Sequence, residues 1–167
     1  MKKEKNIFKI IFSRANEISK MASQSVKELF ISYGREPEVV PFVQKLKVDL
    51  TALGFSVWLD INDIHSGDDW YGAIGTGLDN CRAVLTVITK KYIHSRYCTS
   101  ELYTANSDGK LIFPLMYADI NFSETERSRG VKYVVGGSNW TMFRPGKDDY
   151  QTSFDKLVRG LQDQGLL

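Results

Sequence analysis

Cysteine and histidine are scarce in this chain, with two of each among 167 residues. Cys81 and Cys98 allow one disulfide at most, far from the dense bridging of small secreted domains, so reduced thiols in a cytoplasmic protein are expected. His65 and His94 stand alone and no Cys-x-x-Cys or His-x-x-x-His spacing exists, which leaves a structural or catalytic metal without a ligand set. Residues 60–65 start like a calcium loop but lack its glycine and its later bidentate acid. Long hydrophobic runs are missing too: the apolar stretch near the start is broken by Lys9 and is far shorter than a bilayer span, so no membrane segment is expected. Charge of one sign is equally lacking. The 22 basic and 20 acidic residues leave +2, much of it in the first twenty positions, too weak and too local for a nucleic-acid partner. No serine sits in Gly-x-Ser-x-Gly, and Ser32, Ser66 and Ser100 have no obvious histidine partner, which argues against a serine hydrolase.

What is present is an ordinary globular composition, 43% hydrophobic and 25% charged, at a length that suits one domain with one sizeable core. Residues 1–26 read as a flanking segment, partly helical, and residues 27–163 as the domain. A basic amphipathic start can also look like a mitochondrial leader, but Glu4 and Glu17 count against that.

The pattern along the domain alternates. Leu29-Phe30-Ile31-Ser32-Tyr33 is a compact β-prone run halted by Gly34. Pro37 then suits a first helical turn, and Glu36 and Glu38 suit its positive end. Val39, Phe42, Val43, Leu46, Leu50 and Leu53 recur at spacings of three and four, a stripe that ends at Gly54. Residues 55–59 form a second strand and 60–67 a turn-rich loop, after which Asp68 or Asp69 caps a helix carrying Trp70, Ile74 and Leu78. Gly72, Gly75 and Gly77 weaken that helix by about 1 kcal/mol each. They lie inside a helix rather than opening one, unlike a dinucleotide fingerprint, and tight packing explains them better. Residues 83–88 are a third strand, 97–107 a helix and 111–116 a fourth strand. Residues 118–130 are polar and irregular, 132–135 and 140–143 are short strand candidates, and Tyr150, Phe154, Leu157, Val158 and Leu161 mark a last helix.

Strands that read as nearly continuous apolar runs are covered on both faces, and their alternation with helices implies an open α/β sandwich with a parallel sheet. Ligands collect at the carboxyl ends of such strands, where the strand order reverses. Residues 34–37, 60–69, 89–97 and the loop after Tyr117 should line that rim. Tyr33, Arg35, Tyr97 and Glu101 then converge, whereas Cys98 beside Arg96 reads as a small packing residue rather than an activated thiol.

These residues carry a family resemblance. Residues 29–33, the run Gly54-Phe55-Ser56-Val57-Trp58-Leu59-Asp60, the loop Ile64-His65-Ser66-Gly67-Asp68-Asp69-Trp70 and Tyr92-Ile93-His94-Ser95-Arg96-Tyr97-Cys98-Thr99-Ser100-Glu101-Leu102 resemble, in order and spacing, the TIR (Toll/interleukin-1 receptor) domain. The last run is similar to the family's Ser-x-Trp-Cys-x-x-Glu-Leu box, with tyrosine in place of tryptophan. Gly109-Lys110 leads into the apolar fourth strand with Pro114, and the likeness spans residues 27–160.

The resemblance implies a flavodoxin-like fold of five parallel strands with helices on both faces. It implies one of two roles in immune or cell-death signalling: cleavage of NAD+ to nicotinamide and ADP-ribose or a cyclised ADP-ribose, switched on by self-association, or a scaffold that assembles with other TIR domains without turnover. On the first reading NAD+ is the substrate, no separate cofactor is needed, and Glu101 is the catalytic carboxylate. Tyr33, Gly34, Arg35, Asp60, Ile64, Gly67, Trp70 and Tyr97 then surround the substrate. Arg35 would reach a phosphate, Tyr97 would stack or wall the pocket, and residues 60–67 would be the family's mobile loop, with Gly67 permitting its movement. A phosphoacceptor receiver of the same general fold is a third possibility, but Ser32-Tyr33-Gly34 stands where its acidic cluster would be.

Overall fold

The computed structural model describes residues 28–59 and 70–166. The strands are β1 (Leu29–Tyr33), β2 (Val57–Leu59), β3 (Ala83–Ile88), β4 (Leu111–Met116) and β5 (Thr141–Met142). The helices among the described residues are α1 (Val40–Ala52), α2 (Trp70–Asp79), α3 (Lys90–His94), α4 (Arg96–Ser107), α5 (Glu126–Val135) and α6 (Tyr150–Asp163). All five strands are parallel, in the order β2-β1-β3-β4-β5. The chain winds outward from β1 in one direction and then the other, so the order reverses between β1 and β3.

Side chains alternate across the sheet. Leu29, Ile31 and Tyr33 join Ala83, Leu85 and Val87 on the face covered by α1 and α6, through Val43, Leu46 and Leu50 and through Phe154, Leu157 and Leu161. On the opposite face Phe30 and Val84 pack with Ile74 and Leu78 of α2 and Ala105 of α4, while Ile88 and Met116 pack with α3, α4 and α5. Ser32 belongs to this second face. It is the one polar residue of β1 besides the terminal tyrosine, and it is fully buried.

Pro114 lies within β4 without breaking the β3–β4 ladder. Leu111 and Tyr117 donate their N–H groups to Arg82 and Ile88 on the β3 side, while the Met116 carbonyl accepts from Phe143 on the β5 side. Alternate positions face alternate neighbours, so Pro114 shares the parity of Met116 and its missing N–H falls on the outer side.

Strands β1, β3 and β4 begin and end where expected, and β2 is two residues shorter than the expected 55–59. Three expectations need correction. Helix α1 begins at Val40, with Pro41 at its start and no acid in its first turn, because residues 37–39 form a turn closed by the Glu36 carbonyl accepting from Val39 and Val40. Residues 132–135 belong to helix α5, not to a strand. Thr125 and Ser128 exchange capping bonds at its start, and Ser128, Val131 and Val135 recur on one buried face. The stretch 89–97 contains the helix α3, capped by Thr89, whose side chain accepts from the Tyr92 N–H. Of Gly75 and Gly77 in α2, packing accounts for the second alone: a Cβ at Gly77 would lie 2.7 Å from the Trp58 ring, whereas one at Gly75 would meet nothing within 4 Å.

Candidate functional site

The carboxyl ends of β1 and β3 open onto the rim where the strand order reverses, and α3 and α4 descend from it. Ser95 ends α3 and caps α4, its hydroxyl accepting from the Cys98 N–H at 3.2 Å. That sharp break sets the first turn of α4 across the end of β1. Leu102 and Ala105 bury one face of α4. Tyr97 and Glu101, one turn apart, are both half-buried.

Glu101 is held from the sheet. The Ser32 hydroxyl donates to Glu101 Oε2 at 2.6 Å, and Ser32 Oγ lies 2.9 Å from the Tyr92 hydroxyl. Since the single Ser32 proton is committed to the carboxylate, the Tyr92 hydroxyl is the donor in that second contact. It shares its proton with the Cys98 carbonyl at 3.1 Å. Burial, and next the negative charge of Glu101, push the Tyr92 phenol well above its usual range, so it stays a donor.

Two cavities meet at Tyr97. One, of about 480 Å³, is lined by Tyr33, Gly34, Arg35, Lys91, His94 and Tyr97, with Ser95 and Cys98 behind them. The other, of about 540 Å³, is lined by Tyr97 and Glu101 with Ile74, Leu78 and Arg96 among its walls. Both fall within the range of small-molecule sites, about 300–1,000 Å³. Tyr33, Gly34, Arg35 and Tyr97 are therefore brought together as expected, and Glu101 joins them through the shared Tyr97 rather than in the same cavity. Asp60, Ile64 and Gly67 lie outside the described residues. Trp70 opens α2, and its side chain is likewise outside them.

Gly34 is needed where it stands. A Cβ there would come within 2.8 Å of Glu36 Oε2, and Glu36 is a buried carboxylate that accepts the Thr89 hydroxyl at 2.7 Å. Cys98 is buried and free, as is Cys81. Burial raises the Cys98 thiol from its ordinary 9.0 to about 11, which fits a packing residue rather than a nucleophile. Ser32, Tyr92, Lys91 and His94 were not singled out for the site, although the last three fall in the segment 89–97 expected at the rim. Ser32 had a signal of its own: a polar residue on the covered face of an otherwise apolar strand.

A doubly wound parallel sheet with its cleft at the reversal point and a carboxylate-bearing helix across it defines a flavodoxin-like α/β domain. The family model for the TIR domain matches residues 29–158, and the chain belongs to the TIR domain family. No match was found among curated proteins. The fold is shared with solved structures, among them two TIR domain structures. The TIR domain of the Toll-related receptor TRR-2 from Hydra magnipapillata is 19% identical, with a TM-score of 0.62 over 80% of this chain and 97% of that one. The TIR domains of the activated Roq1 resistosome, which directly recognises the pathogen effector XopQ, are 16% identical, with a TM-score of 0.66 over 81% of this chain and 99% of theirs. TIR domains act in signalling, and the family includes both NAD+ nucleosidases and assembly modules. Among the described residues no helix is long and apolar enough to cross a membrane.

Proposed function

We propose that the domain cleaves NAD+ to nicotinamide and ADP-ribose when it self-associates, with Glu101 as the catalytic carboxylate. The observation that carries this reading is the half-buried Glu101 carboxylate, fixed by the 2.6 Å bond from Ser32 and facing a cavity walled by Tyr97.

The bond that breaks joins C1′ of the ribose to the pyridinium nitrogen. Its electron pair leaves with nicotinamide, turning a cationic ring into a neutral base, so no acid has to protonate the leaving group. The ribose carbon becomes electron-poor, and a fixed negative charge beside it lowers the energy of that state. Water then adds to C1′ and loses its proton to Glu101 or to solvent. Capture within the molecule instead of by water gives a cyclised product. One carboxylate suffices, where ordinary glycoside hydrolysis uses two. Tyr97, on the same helix face one turn before Glu101, supplies an aromatic wall for the nicotinamide.

The test is the full chain with NAD+ at high protein concentration in a crowding agent, with products separated by chromatography. Nicotinamide release is expected from the wild type, and Glu101→Gln should lower it about a hundred-fold or more while the chain stays folded. Undiminished release by the folded variant would sink the assignment.

A scaffold reading draws on a different observation. Tyr133 on α5 is 89% exposed and Val48 on α1 is 66% exposed, apolar surface that suits contact with another TIR domain. If assembly is the whole function, no nicotinamide appears at any concentration, and Glu101→Gln associates as the wild type does.

A further inference from the structure

Helix α2 carries a glycine that its packing among the described residues does not require. Gly75 is half-buried, and a Cβ built on it would meet none of them within 4 Å, whereas Gly77, two residues on, is held against Trp58. Alanine would serve the helix better at Gly75, because glycine gives up more backbone freedom on folding. A local rule broken with no return in packing points to function.

What Gly75 borders is the cavity that holds Glu101, a slot of about 540 Å³ between α2 and α4. Gly75 and Leu78, three residues apart, share one face of α2 and line the slot together with Ile74. Tyr97, Ser100 and Glu101 line it from α4. The Ser100 hydroxyl is turned back onto its own helix, donating to the Arg96 carbonyl at 2.7 Å. Ile74 and Leu78 are buried, and Tyr97 packs against the cluster they belong to, so the slot combines apolar walls, an aromatic flank and a carboxylate. That combination suits a flat aromatic ring bonded to the carbon beside Glu101. A side chain at Gly75 would stand in the space such a ring needs, whereas one at the neighbouring, exposed Thr76 would not, since Thr76 does not line the slot.

We propose that Gly75 sets the width of the slot facing Glu101, and with it the size of the aromatic leaving group that can be seated there, which makes it a specificity-determining residue on α2. This rests on the NAD+-cleaving reading for its ligand, but its test has a binding readout that does not depend on turnover.

The experiment compares the full-length wild type with Gly75→Ala and Gly75→Leu, and with Thr76→Leu as the control that adds the same bulk outside the slot. Nicotinamide alone is titrated by saturation-transfer NMR, and KM and kcat for NAD+ are measured in parallel. The thermal midpoints of both Gly75 variants should be no lower than that of the wild type. KM should rise stepwise, about three-fold for Gly75→Ala and ten-fold or more for Gly75→Leu, with kcat reduced by less than about three-fold. Nicotinamide binding should weaken in the same order, and Thr76→Leu should match the wild type in both measurements. Wild-type nicotinamide affinity in folded Gly75→Leu overturns the assignment, as does a loss that Thr76→Leu shares or a wild type that does not bind nicotinamide. Nicotinamide binding that Gly75→Leu abolishes, in a chain that releases none from NAD+, keeps the slot and removes the enzyme reading. Release from NAD+ with a KM indifferent to Gly75→Leu does the reverse.

Discussion

The Ser32 hydroxyl and the Glu101 carboxylate meet at 2.6 Å although 69 residues separate them in sequence. The bond ties the end of β1 to the second turn of α4, so the sheet itself aims the carboxylate. Ser32→Ala removes that donor and leaves Tyr92 bonded to the Cys98 carbonyl. Ser32 is thus a positioning residue. On the proposed function kcat should fall about ten-fold with KM little moved, and the thermal midpoint should drop by only a few degrees. Steady-state kinetics beside calorimetry separates the two effects. A wild-type kcat in this variant would detach Ser32 from the chemistry.

Gly75 and Gly77 occupy the same helix and should respond oppositely to alanine. At Gly75 the added methyl meets nothing within 4 Å, so Gly75→Ala should stabilise by about 0.5–1 kcal/mol through helix propensity. At Gly77 the methyl would press on the Trp58 ring at 2.7 Å, and that ring is itself stacked on Phe30 with centroids 4.7 Å apart. Gly77→Ala should destabilise by about 1–3 kcal/mol. Denaturant midpoints of the two variants give the signs directly.

Alkaline stability should fall with the thiols. Burial holds Cys98 and Cys81 neutral up to about 11, against an ordinary 9.0 in the unfolded chain. Folding is therefore favoured in full below pH 9.0, and this contribution is lost as pH rises towards about 11. The thermal midpoint should decline across that window, with Tyr92 adding to the fall above pH 10.0, and Cys98→Ala should make the decline shallower. A slope identical in wild type and variant would contradict the linkage for Cys98.

Where burial on both faces forces continuous apolar runs, the sequence reads cleanly: β3 and β4 coincide residue for residue with residues 83–88 and 111–116. Helix α5 did not read, because Val131, Val134 and Val135 carry a β-prone signal in isolation. Its helical identity comes from the Thr125–Ser128 cap and from packing that a short window does not contain. Helix α3 spans five residues, too few for a period to show. At the site, Tyr97 and Glu101 were legible because they lie on one helix at fixed spacing. Tyr92 was not, because its value there depends on a hydroxyl reaching Ser32 on a strand 60 residues away. Lys91 and His94 lie in the segment 89–97 expected at the rim, and the fold sets them in one cavity with Arg35.

Both margins of the sheet are short, since β2 has three residues and β5 has two. A neighbouring molecule seeking to prolong the ladder would find few amides to grip, and Pro114 subtracts one more just inside the β5 border. Copies of this domain that stack into a higher-order array should therefore meet through helical flanks and connecting turns, keeping each sheet a closed unit. Such an array would dissolve into intact monomers on dilution, without the near-irreversible locking of fibrils made by strand-to-strand growth.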